Sequence, residues 1–175
     1  MKMLITDSCS KYFKYSDFIL CGDTVISQNI ENLPKQEQSW IAISELAKYL
    51  MDPIKQKFGN LKLTYGFCSH NLSLNIKKAI NPQRDQHSSY EVNSLGKRLC
   101  DRGGAACDFY IPNTSSREVA NWIVTNLPFD RLYFYGDNKP IHLSYGPEHN
   151  RQIITMSEGP SGKLIPKIVR INNFK

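Results

Sequence analysis

Hydrophobic positions between Ser39 and Phe58 recur at helical spacing, with Trp40, Ile43, Leu46, Ala47, Leu50, Ile54 and Phe58 on one stripe. The pattern predicts an amphipathic helix with Ser39 as its N-cap and Gly59 just past its end. Pro53 lacks an N–H and is expected to kink or divide it. The next apolar run, Leu61 to Tyr65, is short and ends at Gly66, which reads as a strand feeding a loop. A short helix is expected within Asn71 to Ile80, stopping before Pro82. Ala105 to Ile111 reads as a second strand. Ser115 and Ser116 then cap a helix running through Val119, Trp122 and Ile123 towards Asn126, closed by Pro128. Arg131 to Tyr135 and Ile141 to Tyr145 flank the turn Gly136-Asp137-Asn138-Lys139-Pro140 and read as a hairpin, and Arg151 to Met156 adds another strand.

Helices alternating with strands and then consecutive strands predict an α+β fold, a largely antiparallel sheet with helices on one side. A chain of 175 residues, 41% of them hydrophobic, is long enough to bury a core as a single domain over residues 1–175. No apolar run reaches the roughly 18–20 residues that a membrane span needs. Asp7, Lys11, Lys14 and Asp17 interrupt the N-terminal segment before a signal-peptide core forms, so the expectation is a cytoplasmic protein with no membrane partner. Five cysteines, an odd number without CxxC spacing, fit reduced thiols in such a compartment. The net charge of +6 suits an acidic partner, but the basic residues are scattered, with only short pairs such as Lys77-Lys78 and Lys97-Arg98. Nucleic acid is therefore a weakly supported partner. The glycine fingerprints of Rossmann and P-loop folds are missing, as is GxSxG.

The candidate chemistry lies in the histidines, at 70, 87, 142 and 149, and in one aspartate. His87 follows Arg84-Asp85-Gln86, His142 lies within a predicted strand, and Asp108 stands between Cys107 and Phe109 in another. A strand carboxylate that points inward needs a cation, hydrogen-bond donors or a metal. His87, Asp108 and His142 together would offer two imidazoles and one carboxylate and leave a fourth tetrahedral position open, as catalytic zinc sites do. The plainer reading of a lone strand histidine is a hydrogen-bonded core residue. Cys107 alternates with Asp108 and is expected on the opposite face as a small buried hydrophobe. His70 and His149 sit among loop-forming residues and are expected to be exposed.

Gly104-Ala105-Ala106-Cys107-Asp108-Phe109 resembles the GxAxDf segment of the zinc D-alanyl-D-alanine carboxypeptidase and Hedgehog-like superfamily, and Ile141-His142-Leu143-Ser144-Tyr145 is similar to its later vHvsy segment. Leu63-Thr64-Tyr65-Gly66-Phe67-Cys68-Ser69 is similar to the itSGYRS strand and loop that precedes both. The segments follow the family order, which implies a metallopeptidase-like core over about residues 61–145, a Hedgehog/DD-peptidase-like fold and a bound Zn2+. The chain departs from the family in three places. The first ligand slot, seven residues before Asp108, holds Asp101. Either Asp85-Gln86-His87 matches the family's Ser-Gln-His, with Ser88 to Gly103 inserted, or Asp101 is itself the ligand. His87 is preferred because zinc favours a site that includes imidazole. Lys139 stands where the family carries its base, which leaves Asp137 and Glu91 as the candidate carboxylates. Cys68 replaces the arginine of the loop; Arg131, Arg98 and Arg102 are candidate anion clamps, and Tyr135 a candidate hydrogen-bond donor to an oxyanion. The resemblance implies a cytoplasmic zinc-dependent hydrolase acting on an amide or peptide-like substrate. The alternative is a catalytically altered domain of this fold that binds a ligand, a protein or nucleic acid.

Overall fold

Cys107 and Asp108 point to opposite faces of one sheet, and that alternation sorts the molecule into a packed side and an open side. The computed structural model describes residues 3–76, 82–159 and 162–174. Six strands, β1 (Lys62–Tyr65), β2 (Ala105–Tyr110), β3 (Arg131–Phe134), β4 (Ile141–Tyr145), β5 (Gln152–Glu158) and β6 (Leu164–Val169), form a sheet in the order β1-β2-β4-β3-β5-β6. Every neighbouring pair is antiparallel except β3 and β5. The helices are α1 (Tyr15–Ile19), α2 (Asp23–Gln28), α3 (Glu37–Leu46), α4 (Asp52–Phe58), α5 (His70–Ser73) and α6 (Ser116–Asn126). This is a mixed α+β architecture with a mostly antiparallel sheet.

On the packed side, Cys107, Phe109, Leu132, Phe134, Ile141 and Leu143 join one hydrophobic cluster with residues of α3, α4 and α6, including Ile43, Ile54 and Ile123. The Cys107 thiol lies 3.4 Å from the Met51 sulfur, deep in that cluster. Helices α3 and α4 are one continuous rod, joined by a π-helical turn over Ala47–Met51 in which the Asp52 N–H reaches the Ala47 carbonyl. The wider turn carries the chain into Pro53, at the start of α4, so the missing proline N–H does not break the rod. Gly59, at φ +81°, ends it in a conformation that side chains avoid. Among the described residues, no helix is long and apolar enough to cross a membrane.

Several expectations change in the folded chain. Ser39 does not cap the first long helix, which begins at Glu37; the serine is buried inside it and its hydroxyl donates to Glu91. Ser115 does cap α6, accepting from the Arg117 N–H. The helix expected within Asn71 to Ile80 is a single turn, His70–Ser73, and residues 77–81 of that expectation lie outside the described residues. The helices are not confined to one side: Val25 of α2 and Ser73 of α5 line a cavity on the Asp108 face. β6, α1 and α2 were not anticipated. β6 is almost wholly exposed and shows no inside–outside alternation, and α1 and α2 are too short to display a period.

Candidate metal centre

Strand register places two of the three polar residues side by side. Asp108 on β2 pairs directly with His142 on β4, and His142 pairs in turn with Tyr133 on β3. Tyr65 of β1 pairs with Asp108 after a bulge. Paired positions share a face, so Tyr65, Asp108, His142 and Tyr133 form one row on the open side. His87 arrives from a 3-10 turn, Gln86–Ser88, in which the Asp85 carboxylate accepts the His87 N–H.

The loop after β1 clamps that turn. The Cys68 N–H donates to the His87 carbonyl at 2.9 Å, and the Gly66 carbonyl lies 2.6 Å from His87 Nδ1. Gly66 is required there, because a Cβ would stand 2.2 Å from the Phe18 carbonyl oxygen. Its carbonyl accepts the Nδ1–H, which turns His87 Nε2 towards the sheet. The arrangement matches the backbone carbonyls that orient metal-binding histidines.

His87 Nε2, His142 Nδ1 and Asp108 Oδ1 converge at mutual distances of 3.1 Å (His87 to His142), 3.2 Å (His87 to Asp108) and 2.9 Å (His142 to Asp108). Ligand atoms held tetrahedrally at about 2.0–2.1 Å from zinc stand about 3.3 Å apart, so the triangle is close to the size that such an ion needs. Proton arithmetic points the same way. With the His87 Nδ1–H given to Gly66, a neutral His87 presents only a lone pair at Nε2, facing a carboxylate oxygen at 3.2 Å. That contact is repulsive unless His87 takes a second proton or a cation enters. In the metal-free protein the proton answers: burial opposes it, but the Asp85 and Asp108 carboxylates and the hydrogen bonds to Asp108 and Gly66 push the imidazole up to about 9. Burial also opposes the Asp108 charge, yet the two histidines hold its carboxyl well below the usual range. Two imidazoles and one carboxylate are a donor set that fits zinc.

Around the triangle lies a cavity of about 610 Å3 whose lining includes Tyr65, Asp85, Tyr133, Tyr135 and Leu164. Tyr65 packs against the His87 ring at 4.4 Å and Tyr133 edge-on against His142 at 5.0 Å, fixing both imidazoles. Burial, then Asp108, raises the Tyr135 phenol above its ordinary value, so it remains a hydrogen-bond donor at neutral pH.

The other expected site residues have different partners. Glu91 is buried, and its carboxylate accepts from the Lys35 and Gln36 N–H groups and the Ser39 hydroxyl, where it compensates the N-terminus of α3. Those bonds leave it no role as a base. Asp137 pairs with Arg117 at 3.0 Å, and its carbonyl accepts the Ser116 N–H, so its turn docks on the start of α6 and not on the metal cluster. Arg131 is buried and committed to Asp130, Gln86 and Glu148, which removes it as an anion clamp. Arg98 and Arg102 spend guanidinium donors on the backbone of Arg102 and Arg84. Asp101 is exposed and stands outside the cluster. His70 is half-buried at the start of α5, and His149 is exposed against Tyr145.

Two participants went unnoticed in the sequence. Asp85, like Asp23, is a carboxylate that lines the cavity without being one of the three convergent ligands. Its signal was its place two residues before a histidine, where a carboxylate caps a tight turn. Tyr133 falls within the strand expected over Arg131 to Tyr135, and its position opposite His142 across the hairpin is the available clue. Compared with protein-family models, curated proteins and solved structures, the chain has no significant match.

Proposed function

We propose that the protein is a zinc-dependent hydrolase of an amide or peptide-like bond, with the ligand arrangement of the D-alanyl-D-alanine carboxypeptidase and Hedgehog-like superfamily. The observation that carries this reading is the convergence of His87 Nε2, Asp108 Oδ1 and His142 Nδ1 into one triangle at the edge of a cavity. A zinc ion held there would supply Lewis-acid polarisation of the amide carbonyl and activation of water. Asp85, fixed by the His87 N–H through one oxygen, accepts the proton of the attacking water and passes it to the leaving nitrogen. Tyr135 donates a hydrogen bond to the oxygen on which negative charge develops. The five free cysteines fit a reducing compartment, and we place this activity in the cytoplasm.

Cys68 favours a second reading, a ligand-binding domain without turnover. It occupies the place of the family's substrate-holding arginine, and burial pushes its thiol up to about 11, so it carries no charge there. Elemental analysis of untagged protein, followed by amide hydrolysis with and without a chelator, separates the two. One equivalent of zinc with chelator-sensitive turnover supports the hydrolase; one equivalent with no turnover on any amide supports the binding domain.

A further inference from the structure

Asn32 lies in the stretch between α2 and α3, and its side chain is buried at 3% exposure with both Nδ2 protons and the Oδ1 in use. Nδ2 donates to the carbonyls of Ile19 and Phe67, each at 2.8 Å, and Oδ1 accepts the Ser69 N–H at 2.8 Å. The flipped amide would set oxygen against two carbonyl oxygens, so these partners fix its orientation. The contacts reach His87 through two peptide planes. The Phe67 carbonyl and the Cys68 N–H belong to one planar unit, so holding the carbonyl aims the N–H, which donates to the His87 carbonyl at 2.9 Å. The unit before it is held likewise: the Phe67 N–H donates to the Phe18 carbonyl at 2.8 Å, and the Gly66 carbonyl takes the His87 Nδ1–H at 2.6 Å. Because Asn32 also grips Ile19, next to Phe18, one amide joins the two segments that meet at Gly66. The same bond closes the loop of residues 20–31, which brings Gly22, Asp23, Thr24 and Val25 to the wall of the cavity.

We propose that Asn32 is a positioning residue of the metal centre, holding the loop after β1 so that it aims His87 Nε2 at Asp108 and His142. The proposal rests on the reading of the cluster as a zinc site and adds to it a residue remote in sequence. Asn32 bonds to backbone groups, so it acts on the metal only through the loop. A metal site tolerates ligand displacements of only about 0.2 Å. An imidazole held by one carbonyl at Nδ1 transmits any tilt of that peptide to Nε2 on the far side of the ring. Removing the Asn32 amide frees the Phe67–Cys68 plane and deprives the Ile19 and Phe67 carbonyls and the Ser69 N–H of a buried partner, which the loop recovers only by shifting.

The test titrates zinc into the metal-free, untagged full chain against a competing chromophoric chelator at one pH, and records the visible spectrum of the same proteins saturated with Co2+. Outer-shell partners of metal-binding histidines are worth about 10- to 100-fold in affinity, and Asn32→Ala should cost about tenfold, with altered cobalt bands at full occupancy. Asn32→Asp keeps the size and the acceptor but loses the paired donors, and it should move both readouts the same way; its added negative charge would by itself favour a cation. Val119→Ala, in the core on the packed side of the sheet, controls for lost stability. It should lower the melting temperature while zinc affinity stays within about twofold and the cobalt bands match wild type. Three results would each overturn the positioning role while the wild-type metal centre stands: wild-type affinity and bands in both Asn32 variants, an affinity loss no greater than that of Val119→Ala with unchanged bands, or failure of both variants to fold even with zinc present. A wild-type protein that takes up no zinc overturns the metal centre and the clamp with it.

Discussion

Gln86 and His87 are consecutive residues in one 3-10 turn, yet each joins a different polar cluster on the open face of the sheet. Gln86 donates to Asp130, whose carboxylate also accepts from Arg131 and from the backbone and side-chain N–H groups of Asn150. Four donors fill four acceptor positions, and Arg131 answers the charge at 2.6 Å with only its Nε left unpartnered. His87 meets Asp108 in a cluster of the opposite kind: one carboxylate oxygen faces two imidazole nitrogens with too few protons to satisfy every contact. The saturated cluster has no valence left for a ligand and holds the turn in place. The unsaturated one, lying on the cavity, has a gap that suits a cation. Two carboxylates of the same chemical type, Asp130 buried and Asp108 half-buried, therefore have different uses, and the number of donors around each distinguishes them.

The sharpest way to break that contrast is to remove a ligand. His142→Ala, Asp108→Ala and His87→Ala should each abolish stoichiometric zinc binding as read by elemental analysis of untagged protein, while Asp101→Ala keeps one equivalent. Full zinc content in the His142 variant would refute the cluster as a metal site. Next in size is Asp85→Asn. The amide still caps the His87 turn but cannot take the proton, so kcat on a cleavable amide should fall about 10²- to 10⁴-fold with zinc retained. Wild-type turnover would move the base elsewhere.

The saturated cluster should respond in stability, not chemistry. Asp130→Ala leaves the buried Arg131 guanidinium with only the exposed Glu148 as a countercharge, and breaking such a buried pair costs about 3–5 kcal/mol. Denaturant unfolding should show that loss while zinc-saturated protein still binds one equivalent. Glu91→Gln weakens the compensation of the α3 N-terminus and should cost about 1.5–3 kcal/mol with turnover unchanged. A collapse of turnover in that variant would restore Glu91 as a catalytic carboxylate.

The same contrast explains what was legible in the sequence. The Ile141–Tyr145 strand and the opposed directions of Cys107 and Asp108 follow from local alternation, the grouping of His87 with Asp108 and His142 from ligand chemistry joined to the family resemblance, and the structure has all three. Glu91, Asp137 and Arg131 have partners outside the metal cluster, because the partner of a surface-type residue is decided by tertiary packing. Glu91 meets Ser39 across 52 positions of chain and Asp137 meets Arg117 across 20. Neither pairing leaves a periodic trace. The β6 strand was equally invisible, since a strand exposed on both faces has no alternation to read.

The last effect concerns the proton that stands in for the metal. In the metal-free fold, His87 has its pKa raised from 6.5 to about 9. A group whose folded value lies above its unfolded one contributes stability that is fully present below about 6.5 and is lost as pH rises through about 9. Zinc requires the Nε2 lone pair, so binding between those values releases a proton and apparent affinity should rise about tenfold per pH unit, flattening near pH 9. The two forms must therefore diverge: chelator-treated protein should melt at lower temperature as pH climbs from 6.5 to 9, while the extra stability conferred by zinc grows over the same window. Asp130 should play no part in this divergence, because no histidine is among its hydrogen-bond donors. Thermal melts across that pH range, with and without zinc, measure the separation directly. Parallel curves would mean that His87 is neutral in the metal-free protein and that the triangle is held without the extra proton.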